Sequence, residues 1–330
     1  MAEAFTGDEK SMNITIYSAQ GIREAAPADL PELLASQTDT LWVDMTGPDE
    51  DDLTVMRDVF HFHPLAIEDT TNQQQRPKIE EYADHLFLIL NPIACYGSEI
   101  EFRELDVFVG SNFVVSVHRE EEPVVAEARR RVPPAGNGPS MSPSYLLYTL
   151  MDATIDAYFP VVDALGDLIE DIENEVLTEP RQAALARLFH SKRTMIELWR
   201  VVWPQREVLN VLIHHKLPYI EQETLQYYLR DISDHLLWLA DMVNTFRDSL
   251  MSVTDLYMSA VSNQLNRVVN RLTVFALAVG ALTVVGGFYG MNFTQTWPPF
   301  DAPWGVPLVL GMMAVTTGGL LLLLRRLEWF

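Results

Sequence analysis

The spacing of apolar and polar positions changes character along this chain. In the first 140 residues, short runs of branched and aromatic side chains recur at 14–18, 41–45, 86–90, 105–109 and 113–118, and they predict strands. Between them, residues 50–62 open on an acidic first turn and, like 64–70, carry helical spacing. This predicts a cytosolic α/β domain over 1–140, ending in a breaker cluster at 133–139. From 141 to 218 the pattern is helical. Ser142-Pro143 supplies a cap and a first-turn proline for a helix running towards Thr178, and Glu179-Pro180 breaks it. A second helical stretch reaches about Lys216, with a kink predicted at Pro204.

The next segment has no proline from Tyr219 to Trp297 and no glycine from Tyr219 to Val279. A single helix over 219–289 would be roughly 105 Å long. No single globular domain needs that length, whereas a stalk leading into a membrane does. Leu225, Leu229, Ile232, Leu236, Leu239, Val243, Phe246, Leu250, Val253, Tyr257 and Ala260 alternate spacings of four and three, the seam of a helix packed on neighbours. Residues 272–289 and 306–324 are apolar, and across 272–324 the only charged residue is Asp301. Eighteen helical residues span roughly 27 Å, close to a bilayer's hydrocarbon thickness. This predicts a first transmembrane helix continuous with the stalk, an external loop at 290–305 and a second transmembrane helix at 306–324.

Orientation follows from the flanks. Arg267 and Arg271 precede the first span, Arg325 and Arg326 follow the second, and the loop carries no Lys or Arg. Both termini, including the basic tail 325–330, are therefore expected in the cytoplasm. No apolar stretch of signal-peptide type precedes the domain. The lone Cys95 fits a reducing compartment.

Two further columns step by sevens along the long helix. One reads Asp231, Trp238, Thr245, Ser252, Ser259, Asn266, Thr273, Gly280, Gly287; the other reads Asp234, Asp241, Asp248, Asp255, Ser262, Val269, Ala276, Thr283. Standing three or four residues apart, they share one face. Below the membrane such polarity is what any solvated helix has; within it, lipid has no use for Asn266, Thr273 or Thr283. Close helix packing is the competing account, served by Gly286-xxx-Gly290. Packing leaves four aspartates at successive heptads unexplained. Several copies turning this face inward would make a polar tube entered through carboxylate rings, which select cations.

Charge agrees. The 46 acids against 23 bases give a formal net charge of -23, which excludes a nucleic-acid binder and attracts cations. The chain has no Walker loop, no strand-linked GxGxxG, no His-Glu-x-x-His and no nucleophile elbow, so it does not read as an enzyme. His61-Phe62-His63 and His214-His215 lack the spacing of a completed metal site and read as surface or structural.

The sequence Tyr289-Gly290-Met291-Asn292-Phe293 resembles the signature of the CorA family of divalent-cation channels, the two-span superfamily that also includes the ZntB branch. So do His63-Pro64-Leu65-Ala66-Ile67-Glu68-Asp69, Gln75-Arg76-Pro77-Lys78-Ile79-Glu80, Tyr228-Leu229-Arg230-Asp231-Ile232-Ser233-Asp234-His235 and Ser259-Ala260-Val261-Ser262-Asn263-Gln264-Leu265-Asn266. The basic-aromatic tail 325–330 is also similar, and coverage is nearly full length. The resemblance implies a CorA-like homopentameric funnel: an α/β cytosolic domain, a long pore-lining helix and a second span packed outside. It also implies a place in the plasma (inner) membrane and passage of Mg2+, with Co2+ and Ni2+ also admitted, down the membrane potential. By motif match Gly290, Met291 and Asn292 form the selectivity filter, with Asp255, Asn266, Val269, Thr273, Gly280, Thr283 and Gly287 along the pore. A regulatory Mg2+ is implied between Asp69 of one subunit and Asp231 of its neighbour, with Glu68 and Asp167 around a second ion.

This chain departs from the pattern in two places. The loop after the signature is Thr294-Gln295-Thr296-Trp297-Pro298-Pro299-Phe300-Asp301, so its usual acid is lost or shifted to Asp301. Gly280 stands where some relatives carry a bulky gate, which moves the expected gate to Val269 or Leu272. A ZntB-like zinc transporter, proton-coupled or not, and a membrane-anchored metal sensor are the alternatives.

Overall fold

A computed structural model describes residues 12–72, 75–96, 99–133, 141–291, 297–299 and 302–327. The chain divides into two units. The first contains the residues up to Ile172 together with Ala186–Met251, and the second contains Glu173–Leu185 with Ser252–Phe330.

In the first unit, β1 (Met12–Ser18) and β2 (Gly21–Ala25) form a hairpin, followed by a 3-10 turn at Pro27–Asp29 and α1 (Leu30–Ser36). Then come β3 (Thr40–Thr46), α2 (Glu50–Asp58), α3 (Pro64–Thr71), β4 (Lys78–Glu81) and β5 (Leu86–Leu90). A separate ribbon of β6 (Ile93–Tyr96) and β7 (Glu99–Phe102) precedes β8 (Leu105–Val109), β9 (Phe113–His118) and α4 (Pro123–Arg131). The main sheet runs β2-β1-β3-β9-β8-β5-β4. Only the β3–β9 pair is parallel, with Val43 opposite Val115.

Every residue of β5, β8 and β9 is buried, which requires a layer on each side of the sheet. Alternation sends Val43, Phe87, Phe108, Val115 and their neighbours against Leu30, Met56 and Ile67 of α1–α3. α5 (Pro143–Asp156) packs on β3, β8 and β9. The strands absent from the sequence reading, β2, β4, β6 and β7, are only four or five residues long. Those at the edges of the main sheet, GIREA and KIEE, carry the charges that keep an exposed edge from pairing with another chain.

Two helices end earlier than their periodicity predicts. The one expected over 50–62 stops at Asp58, and Phe60 and Phe62 turn into the core, where Phe62 stacks on Phe108 at 4.0 Å. The helix expected to run from Ser142 to Thr178 is instead two: α5 and α6 (Phe159–Thr178), parted at Ala157-Tyr158. Pro160 explains the break, because it has no N–H to give an earlier turn yet fits a helix's first turn. Tyr158 is fully buried there, and its hydroxyl donates to the carbonyl of Asn91, which also accepts from Gln205 Nε2.

α7 (Gln182–His214) continues through Pro204. α8 runs unbroken over 68 residues, Gln222–Tyr289, beginning three residues later than predicted because Tyr219 adopts a left-handed φ of 66°. Within the first unit its seam is buried: Leu225, Leu229, Ile232, Leu236, Leu239 and Val243 are all under 4% exposed. Phe246 fills the space left by Gly166, and Tyr228 packs on Tyr145 and Tyr148. In the second unit, the rest of α8 is followed by α9 (Gly305–Arg326). Both helices are long and apolar enough to cross a membrane.

Candidate functional site

α8 carries the whole set of candidate pore positions on one element. At 100° per residue, Asp255, Asn266, Val269, Thr273, Gly280, Thr283 and Gly287 fall within an arc of about 100°. The glycines separate two faces of the helix. A Cβ at Gly286 would lie 3.3 Å from Met313 Cε of α9, so Gly286 faces its neighbour in the hairpin. A Cβ at Gly280 or Gly287 would meet nothing within 4 Å. Only the first glycine therefore serves packing within the chain; the other two keep an open face narrow.

The hydroxyls on that arc are already oriented. Thr273 Oγ1 donates to the Val269 carbonyl and Thr283 Oγ1 to the Val279 carbonyl, each at 2.8 Å. With the proton committed inside the helix, the oxygen presents lone pairs outward, as a cation requires. Asn266 and Val269 are exposed, as is Asp255 nearer the start of this unit. Away from the arc, Phe275 on α8 and Val315 on α9 are 67% and 74% exposed, an apolar surface that only lipid or other chains can cover.

At the end of α8 the Gly290 N–H reaches the Gly286 carbonyl at 2.9 Å, and the Met291 N–H reaches that of Phe288 at 3.3 Å. Met291 is exposed. Asn292 and the loop acid Asp301 lie outside the described residues.

The expected regulatory acids are in the first unit. Asp69, on α3, accepts from Lys78 Nζ at 2.6 Å; Lys78 also reaches Glu80 at 2.8 Å, and the Tyr82 hydroxyl donates to Glu80 at 2.7 Å. Burial works against the Lys78 ammonium, but its bonds to Asp69 and Glu80 outweigh this and raise its pKa. Asp231 is exposed on α8, close enough to Asp152 to oppose that carboxylate's ionisation. Glu68 and Asp167 are exposed. One chain thus gives Asp69 and Asp231 different surroundings, and the donors are all carboxylate oxygens, the chemistry that suits Mg2+.

Three features were not anticipated from the sequence. Lys78 is an internal counter-ion for Asp69. His85 is buried among the rings of Phe62, Tyr82 and Phe108, and burial pushes its pKa down to about 4. Asp152, Asp156 and His235 gather around Arg131, although only the four-residue spacing of the two aspartates was visible beforehand. Of the tempting histidines, His63 caps α3 by accepting from the Leu65 N–H, and His214 lies 3.1 Å from its own helix's Asn210 carbonyl.

The chain matches the family described as CorA-like Mg2+ transporter protein over residues 37–326. It is 33% identical over 329 residues to the cobalt/magnesium transport protein CorA of Thermotoga maritima, covering 98% of this chain and 93% of that one. A more distant relative is the zinc transport protein ZntB of Pectobacterium carotovorum, 24% identical over 77% of each chain. Among solved structures it is similar to the complete CorA magnesium transporter from Methanocaldococcus jannaschii, with a TM-score of 0.80, 19% identity, and 97% and 98% of the two chains covered.

Proposed function

The chain belongs to the CorA-like Mg2+ transporter family, whose members move divalent cations across membranes, and from that premise we propose that it is a homopentameric Mg2+ influx channel that also passes Co2+ and Ni2+. The observation that carries this reading is the open arc on α8: oriented threonine hydroxyls, glycines with nothing against them and an exposed aspartate, on a face apart from the Gly286 that meets α9. Five copies presenting this arc to a common axis would enclose a path lined by oxygen ligands and bare backbone.

In this reading Asn292, with Gly290 and Met291, forms the outer ring. Mg2+ releases its waters reluctantly, so neutral amide oxygens hold the hydrated ion without trapping it. Below the ring, Gly287 and Gly280 leave room for the hydration shell while Thr283, Thr273 and Asn266 accept from its waters. Val269 supplies the apolar constriction, and Asp255 forms the cytosolic ring. The domain 1–140, the helical segment 141–218 and both termini are cytoplasmic, with 290–305 outside. The membrane potential contributes about 2.3 kcal/mol per charge per 100 mV, twice that for a divalent ion, so no ATP is needed. Mg2+ held by Asp69 and a neighbour's Asp231, with Glu68 and Asp167 nearby, closes the path when cytosolic Mg2+ is replete.

The test is flux into liposomes holding the purified protein, with an inside-negative potential. Uptake of Mg2+, Co2+ and Ni2+ that follows the potential and is nearly abolished in Asn292→Ala is expected. Zn2+ uptake that responds to a pH gradient, with no Mg2+ uptake, would establish the ZntB-like reading instead. An inert vesicle would leave a metal sensor.

A further inference from the structure

α7 turns an apolar face outward. Phe189, Ile196, Trp199 and Trp203 are 57%, 47%, 46% and 42% exposed, and at 100° per residue they fall within an arc of about 80°. The two tryptophans stack with 6.1 Å between centroids, and the Arg206 guanidinium lies 5.2 Å over the Trp203 ring. Lys192, Arg193 and Arg200 stand exposed among them. Between Ala186 and Arg206 the helix carries five bases and one acid, in a chain whose acids outnumber its bases 46 to 23. Exposed tryptophan beside arginine is the composition of residues that anchor interfaces.

α6 is its complement. Its 20 residues include six acids and no base, and Asp163, Glu170 and Asp171 are exposed within an arc of about 100°. Among the described residues, the side chains of these three acids make no ion pair within the chain, and neither do those of Lys192 and Arg200. Pro160 and Ala164 add exposed apolar surface on the same side of α6. Three residues, 179–181, join the two helices, so they run antiparallel. Counted from that turn, Glu170 and Asp171 stand within one helical turn of the height of Lys192 and Arg193. Ala164 and Pro160 stand level with Ile196 and Arg200.

We propose that the acidic face of α6 on one subunit docks on the basic, aromatic face of α7 on the next, an inference that rests on the pentameric reading above. A closed ring joins two different faces of each subunit, and each copy of this chain supplies both. Rotation about an axis along the helices brings equal heights together. Glu170 and Asp171 of one copy therefore meet Lys192 and Arg193 of its neighbour, while Ile196 and Trp199 cover Pro160 and Ala164. Charge also fixes the order of contact. α6 against α6 sets acid on acid and α7 against α7 sets base on base, so only the head-to-tail pairing is attractive.

Full-length protein carrying Cys95→Ser, Glu170→Cys and Lys192→Cys is treated in mild detergent with a short bis-maleimide and run on a denaturing gel. Links between neighbours give a covalent ladder up to the pentamer, whereas a link within one chain leaves a monomer. The ladder is expected, and either cysteine alone should give nothing beyond a dimer. Adding Asp171→Lys should slow the ladder at least tenfold, and adding Arg193→Glu as well should restore it. A second measurement needs no variant. In the wild-type protein a carbodiimide couples touching amines and carboxylates, and peptides from the covalent dimer should join Lys192 to Glu170 or Asp171. A wild-type pentamer that yields neither ladder nor amide would overturn the docking, leave the α7 face to a different partner, and leave the pentameric reading standing. A wild-type particle of another size in detergent would overturn both.

Discussion

His85 is a single side chain through which the first unit responds to acid. Its ring is held among Phe62, Tyr82 and Phe108, and burial depresses its pKa to about 4. In the unfolded chain a histidine titrates near 6.5. Between those values the unfolded state takes up a proton that the folded state refuses, so stability falls as pH falls through the window from about 6.5 to about 4. The difference amounts to roughly 3 kcal/mol at most. His85→Phe keeps an aromatic body in the cage and removes the proton site. Melting the full-length protein near pH 7 and near pH 4.5 should show the wild type losing several degrees more than His85→Phe. Equal acid losses would place the sensitivity elsewhere.

At the scale of elements, the contrast between Gly280 and Gly286 separates ion path from packing. Space around Gly280 is open, whereas a Cβ at Gly286 already presses on Met313. Gly286→Leu should therefore weaken the hairpin by about 1–3 kcal/mol, because the added carbons must displace α9. Gly280→Leu should leave melting and assembly unchanged yet reduce Mg2+ flux at least tenfold, since its side chain would fill the proposed path. Gel filtration, melting and liposome flux on the two variants decide this; a fully conducting Gly280→Leu would remove that face from the pore. Much of this face was legible beforehand, because steps of seven on a proline-free helix place Asn266, Thr273, Gly280 and Gly287 together whatever they contact. The break at Tyr158 was less legible, since Pro160 is compatible with a helix start as well as a helix end. Edge strands β2 and β4 could not be read because edges select for charge, not alternation. The cluster at Arg131 could not be read either, as His235 is 79 positions from Asp156 and only tertiary packing joins them.

For the whole molecule, the ion pair between Asp69 and Lys78 sets a competition that any intersubunit Mg2+ must win. The ammonium lies 2.6 Å from the carboxylate the ion would use, and its bonds to Asp69 and Glu80 keep it charged. In the proposed pentamer each subunit therefore carries its own stand-in for the metal, and closing the five interfaces would mean displacing or sharing it. Lys78→Gln frees Asp69, so protection of the first unit from protease should reach its midpoint at several-fold lower Mg2+ than in the wild type. Asp231→Lys places an ammonium opposite Asp69 across the interface; that variant should resist protease in chelator and conduct less, its closed state no longer needing metal. The two variants act on opposite sides of one contact, which makes the pair decisive. If Lys78→Gln leaves the Mg2+ midpoint unmoved and Asp231→Lys stays fully Mg2+-dependent, feedback does not run through Asp69 and Asp231. The chain's formal charge of -23 would then act only as a diffuse attractor of cations, and raising ionic strength with monovalent salt should mimic Mg2+ in the protease assay.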